Sequence, residues 1–243
     1  MAFTQQSRIP GGARVYVIGD IHGRADLLAD MHGRIAADAA EGSPERKVLV
    51  YLGDYVDRGP HSFQVIGMLT AKPLEGFEAV FLKGNHEDML LSFLEGGVFG
   101  DAWLLNGGVE TLGSYGVYID GAAADAEELR AARREFRQAP PPSHLDFLQG
   151  LSLSHAEGDY FFAHAGVNPG APLENQREVD LLWIREDFLN YRGPFAKIVV
   201  HGHTIYTSPC VRPNRIGIDT GAYKSGCLTC LVLEGEDRRF LQT

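Results

Sequence analysis

The sequence predicts an α/β protein built from two packed, mixed β-sheets flanked by helices. Three observations lead there. In the first hundred residues, short apolar β-rich runs alternate with segments of helical periodicity, the pattern of βα units. From about residue 160 onward the runs are mostly β, which requires a second sheet beside the first. Five of these runs end in oxygen or nitrogen donors, and the carboxyl ends of strands are where open α/β sheets place their sites.

Arg14 to Ile18 (RVYVI) reads as a strand buried on both faces. Gly19 ends it, and Asp20 and His22 follow. The segment RADLLADMHGRIAADAA then carries Leu27, Leu28, Met31 and Ile35 at helical spacing. Lys47 to Leu52 is the second strand and leads into Asp54, Asp57 and Arg58, after which SFQVIGMLTA reads as a helix. Ala79 to Leu82 is the third strand; Gly84, Asn85, His86 and Glu87 then open the helix DMLLSFLE. Gly19, Gly53 and Gly84 each precede a donor and are expected to permit a sharp turn. Tyr160 to Ala163 is a strand ending at His164, and Lys197 to Val200 one ending at His201 and His203. Arg215 to Ile218 and Cys227 to Leu233 read as β, joined by a turn at Asp219 to Tyr223.

Between these halves the pattern changes. AWLLNGGVETLGSYG reads as glycine-rich and irregular, AEELRAARREFRQ as a charged helix with a solvated face, and three consecutive prolines end that helix. The pattern resumes afterwards, so residues 103–154 read as a cap-like insertion in a single domain spanning 1–243.

Composition narrows the classes of partner. Hydrophobic content of 44% and charged content of 22% are those of a globular protein with a core. A formal net charge of −10 argues against a general nucleic-acid binder and against electrostatic anchoring to a membrane. The amino-terminal stretch MAFTQQSRIPGGA lacks a signal-type apolar run, and no run is long enough to span a bilayer. The three cysteines, Cys210, Cys227 and Cys230, do not make a disulfide scaffold, so a reducing cytoplasm is expected. The Cys227–Cys230 pair lies in a strand-like run where positions i and i+3 face opposite ways.

Asp20, His22, Asp54, Asn85, His164 and His203 mix carboxylate, amide oxygen and imidazole without a thiolate. That set suits Mn²⁺, Fe or Zn. Six ligand residues exceed what one catalytic ion uses, so two divalent ions sharing a carboxylate are expected, with Asp54 as the bridge. Such a pair clamps the attacking and leaving oxygens of an in-line phosphoryl displacement and makes hydroxide accessible near neutral pH. Taken singly, an Asp-x-His or Asn-His is usually a turn; five strand-ending cases together are specific. His32, His61, His144 and His155 carry no motif and read as helix or polar-surface residues. His201 shares a strand face with His203 and is placed at most behind the ligands.

Gly19-Asp20-Ile-His22-Gly23, Gly53-Asp54-Tyr-Val-Asp57-Arg58-Gly59 and Gly84-Asn85-His86-Glu87 resemble the three signatures of the calcineurin-like metallophosphoesterases, in their phosphoprotein phosphatase branch. WLLNGG, LLWIRED, VVHGHT and IDTGA are similar to segments of the bacterial and lambda-phage-type serine/threonine protein phosphatases. The resemblance runs from Val15 to about Leu233 and is poorest over 116–154. It implies an α/β/β/α sandwich in which Asp20, His22 and Asp54 bind one metal ion, and Asp54, Asn85, His164 and His203 the other. It further implies that His86 is the general acid, that Asp57 orients it, and that Arg58 and Arg185 grip the phosphate. The implied activity is hydrolysis of phosphoserine and phosphothreonine by a metal-bridging hydroxide, extending to phosphotyrosine and small phosphoesters.

An alternative keeps the chemistry and cuts diadenosine tetraphosphate symmetrically. Asp57 tilts against it, since bacterial members of that type tend to lack this aspartate. A catalytically silent phosphate-binding module would require a lost ligand or acid, and none is lost.

Overall fold

The computed structural model describes residues 7–42, 44–71, 74–97, 100–120 and 124–243; residues 1–6 of the stretch read for a signal lie outside them. Three βα units open the chain: β1 (Ala13–Ile18), α1 (Ala25–Ala40), β2 (Arg46–Tyr51), α2 (Ser62–Thr70), β3 (Glu78–Phe81) and α3 (Asn85–Glu95). Helices α4 (Gly100–Trp103), α5 (Val109–Ser114), α6 (Ala126–Phe136) and α7 (Pro142–Gln149) follow, with a wide π-type turn at Leu104–Gly108 between α4 and α5. Then come β4 (Ser154–Glu157), β5 (Tyr160–Ala163), α8 (Glu178–Trp183), α9 (Glu186–Leu189), β6 (Ile198–His201), β7 (Cys210–Val211), β8 (Arg215–Gly217), α10 (Ala222–Ser225), β9 (Thr229–Glu234) and β10 (Asp237–Gln242).

The strands form two mixed five-stranded sheets among the described residues, ordered β10-β9-β1-β2-β3 and β4-β5-β6-β8-β7. β1, β2 and β3 run parallel, as do β5, β6 and β8; antiparallel strands close every edge but that of β3. Strand alternation builds the layers. Val15, Val17, Val48 and Val50 turn inward onto Phe162, Val200 and Ile216 of the second sheet. Tyr16, Ile18, Leu49 and Tyr51 turn outward onto Leu28, Met31, Val65 and Leu90 of the helices. On the far side, Phe161 and Val199 pack against Leu181 and Phe188. No helix of the described residues is long and apolar enough to cross a membrane.

Three readings change. The stretch beginning at Trp103, expected to be irregular, is largely helical: Gly107 and Gly108 lie in the wide turn, Gly113 within α5, and Gly116 just beyond it. Helix α6 is not only a solvated face, because Ala132 and Phe136 are buried in the same core as Tyr16. The chain also ends in a strand beyond Leu233: β10 pairs with β9 through the two-residue turn Gly235-Glu236.

Candidate active site

All the strand-ending donors meet at one edge, because the parallel strands of both sheets deliver their carboxyl ends there. Asp20 and His22 leave β1, Asp54 leaves β2, Asn85 and His86 open α3, His164 follows β5 and His203 follows β6. The backbone is bent to aim them. His22, Asp54, Asp57, Arg58 and His203 all have left-handed φ, between 46° and 72°, and are the non-glycine residues so disposed among those described. Such conformations cost side-chain-bearing residues about 1–2 kcal/mol each. They persist where surrounding structure imposes them, as at functional sites. Of the three glycines expected to turn sharply, Gly53 does so, at φ 100°. Gly84 has an extended backbone and is needed for room: a Cβ there would lie 2.1 Å from Asp54 Oδ1.

Asp54 sits at the centre. Its Oδ2 is 3.4 Å from His22 Nε2 and its Oδ1 is 3.4 Å from His164 Nε2. His22 Nδ1 donates to the Val56 carbonyl and His164 Nδ1 to that of Leu52, both at 2.9 Å. A carbonyl can only accept, so each Nδ1 carries the proton. Burial lowers both imidazoles, His22 to about 3, and leaves them neutral. Each Nε2 lone pair therefore faces a carboxylate oxygen with no proton between them, an arrangement that a cation relieves. Among the described residues, Asp20 Oδ1 and His203 Nε2 are buried without a partner. This donor set fits divalent metal ions.

Two triads could each hold an ion: His22, Asp54 and His86, and Asp54, His164 and His203. Asp54 is common to both. Asn85 Oδ1 adds to the second, 2.9 Å from His164 Nε2 and 2.8 Å from His203 Nδ1. Where the sequence placed Asp20, the first triad contains His86, yet that ring is engaged otherwise. Its Nδ1 donates to Asp57 Oδ2 at 2.6 Å, and its Nε2 accepts from Arg58 Nη2 at 3.2 Å. Burial opposes protonation of His86, but the charges of Asp54 and Asp57 raise its pKa overall. Asp20 accepts from the His203 amide at 2.9 Å through its other oxygen.

Arg58 does not pair with Asp57 among the described residues; its guanidinium lies 4.8 Å from the centre of the Tyr223 ring. Arg185 is exposed, and its charge reaches His164 and His203. It lines a surface recess of about 290 Å³ with Val179 and Trp183. His201 does not share the face of His203. The strand ends at His201, the left-handed φ of His203 redirects the chain, and the His201 ring packs on Phe188, 5.0 Å between centroids. His144, expected in polar surroundings, is buried with Tyr115 Oη 2.9 Å from its Nδ1. His32 is likewise buried against Tyr51 Oη.

Sequence reasoning missed four residues. Glu87, fully buried, accepts from the amides of Asp54, Tyr55, Val56 and Gly84 and so fixes the Asp54 turn. Its position at the third residue of α3, after Gly84, is the available signal. Asp219, at the end of β8, lies beside Asp20; burial, before any neighbour, pushes its carboxyl up to about 6. The motif IDTGA pointed to it without a role. Trp103 and Thr111 touch Asp57, and only their distance in sequence hid them.

Comparison with known proteins agrees with this geometry. The family described as "Calcineurin-like phosphoesterase" matches residues 13–206. Serine/threonine-protein phosphatase 1 of Salmonella typhimurium is 30% identical over 220 residues, covering 88% of this chain and 89% of the relative. The asymmetrical bis(5'-nucleosyl)-tetraphosphatase PrpE of Halalkalibacterium halodurans is 25% identical over 236 residues, covering 88% of each. Among solved structures, a protein provisionally named a diadenosine tetraphosphatase superposes with a TM-score of 0.61 at 22% identity, over 98% of this chain and 95% of the other. A cold-active protein-tyrosine phosphatase of a psychrophilic Shewanella does so at 0.52 and 16% identity, over 97% and 83%. With the signature residues gathered around a shared aspartate, the chain belongs to the calcineurin-like phosphoesterases and is a metallophosphoesterase, a hydrolase.

Proposed function

We propose that this enzyme is a serine/threonine protein phosphatase, acting also on phosphotyrosine and small phosphomonoesters, with residues 1–243 working as one domain. The observation carrying this reading is the buried His86–Asp57 pair at 2.6 Å, held beside Arg58 and the Asp54 cluster. Two divalent ions, Mn²⁺ by preference, supply charge neutralisation and an activated water when bound. Asp20, His22 and Asp54 would hold one; Asp54, Asn85, His164 and His203 the other. Asp20 rather than His86 completes the first set, because Asp20 Oδ1 has no partner among the described residues while His86 Nε2 already faces Arg58.

Arg58 and Arg185 grip the phosphoryl oxygens, a task suited to a planar fork of donors. As Arg58 turns to the phosphate it frees His86 Nε2 to take up a proton from solvent, and the imidazolium, favoured by the charges of Asp54 and Asp57, then delivers that proton to the departing alkoxide. Asp57 keeps the ring in register and favours its protonated form. His86→Asn is therefore expected to lower kcat on phenyl phosphate by about a hundredfold more than on p-nitrophenyl phosphate, whose leaving group needs little protonation. Equal losses on the two esters would remove His86 from the acid role.

Tyr223 supports Arg58 from beneath. Tyr223→Ala is expected to raise KM and weaken inhibition by inorganic phosphate about three- to fivefold, the worth of an exposed cation–π contact. Tyr223→Phe keeps the ring and should keep both values; a change in Phe matching that in Ala would refute the contact's role.

A second reading, hydrolysis of a dinucleoside tetraphosphate, draws on relatives of that name. They are named asymmetrical, whereas the sequence-based alternative is symmetrical cleavage. Rates on a phosphoserine peptide, a phosphotyrosine peptide and diadenosine tetraphosphate, measured side by side with Mn²⁺, separate the readings. A dominant rate on the dinucleotide would overturn the protein phosphatase assignment.

A further inference from the structure

We infer that Trp103 and Thr111, at the start of the insertion, are positioning residues for proton transfer: they clasp the Asp57 carboxylate and so hold His86 in place. This rests on the acid–orienter reading above. Asp57 is fully buried, and its two oxygens accept from three side chains. Trp103 Nε1 donates to Oδ2 at 2.8 Å, the oxygen that also accepts from His86 Nδ1. Thr111 Oγ1 donates to Oδ1 at 2.6 Å and accepts from the Asp57 amide at 2.8 Å. Ser62 Oγ stands 3.0 Å from the same threonine oxygen.

A carboxylate held only by His86 could rotate about its χ angles and carry the ring with it. Donors on both oxygens remove that freedom. The segment between the two residues completes the grip: the Arg58 amide donates to the Gly107 carbonyl at 3.2 Å, in the wide turn. Gly107 has φ 104°, and a Cβ there would come 2.5 Å from the Arg58 nitrogen, so the approach requires glycine. Trp103 is itself wedged between Phe93 and Phe136, with centroids 4.8 and 6.0 Å away. The indole is thereby fixed between α3 and α6. The beginning of the insertion belongs to the catalytic apparatus, apart from any part the rest plays in substrate choice.

The test compares kcat on phenyl phosphate with kcat on p-nitrophenyl phosphate, with Mn²⁺, for wild type, Trp103→Phe, Thr111→Val, Thr111→Ser and His86→Asn. Trp103→Phe keeps an aromatic ring and loses the N–H; Thr111→Val keeps the shape and loses the hydroxyl. Each is expected to lower the phenyl-to-nitrophenyl ratio about tenfold, part of the full general-acid contribution. Thr111→Ser restores the hydroxyl and the wild-type ratio. A merely structural role would lower both rates together and leave the ratio alone, which would overturn the clasp. A ratio shifted in His86→Asn but unchanged in both clasp variants defeats the clasp and spares the acid reading. An unchanged ratio in His86→Asn defeats both.

Discussion

Replacing Asp54 by asparagine is expected to lower Mn²⁺-dependent hydrolysis of p-nitrophenyl phosphate by about a thousandfold or more. The substitution is nearly isosteric, so the effect is electrostatic. Asp54 lies within 3.4 Å of His22 Nε2 on one side and of His164 Nε2 on the other, the donor atoms of both triads. One lost charge therefore weakens two cation positions together. Metal stabilisation of a phosphoryl-transfer transition state is worth several kcal/mol, and about 4 kcal/mol is a thousandfold in rate. Bound Mn²⁺ per chain, measured by equilibrium dialysis, should fall with the rate. Near-normal activity with two ions retained would dismiss Asp54 as the shared ligand.

Glu87→Gln is expected to produce a large loss of stability for a single polar change, about 2–6 kcal/mol, seen as a lower urea midpoint at unchanged m-value. Four backbone N–H groups from the Asp54 turn and Gly84 point at its two oxygens, and the side chain has no contact with water. Glutamine supplies one oxygen and one NH₂ group. Whichever way it turns, its NH₂ opposes two donors that were satisfied, and each orphaned buried donor costs about 1–3 kcal/mol. A midpoint shift equivalent to under about 0.5 kcal/mol would mean that the turn holds itself.

The sequence disclosed the site better than the scaffold around it, for a physical reason. Metal and phosphate chemistry demands particular atoms, so Asp20, His22, Asp54, Asn85, His164 and His203 stand out against apolar runs. The layers were legible for the same kind of reason: Val15 and Val17 alternate with Tyr16 and Ile18, and both faces are buried. What stayed hidden was partnership across distance. Trp103 reads as one more core aromatic until its Nε1 is seen on a carboxylate 46 positions away. Glu87 reads as a first-turn acid, a local preference, whereas its role is to tie the turn that follows β2. Strand β10, with two arginines and an aspartate, lacked the apolar alternation of a strand; its edge position next to β9 permits that composition.

The left-handed backbone at positions 22, 54, 57, 58 and 203 has an evolutionary corollary. A lineage released from selection for catalysis can relieve this backbone by changing such a position to glycine or asparagine, which tolerate that region of φ/ψ space, save at Asp57, whose loss would orphan the buried donors of His86, Trp103 and Thr111. Drift in a decayed copy should therefore start at these residues, ahead of the buried valines between the sheets. An intact quintet of side chains on such a backbone marks a homologue still under selection for turnover.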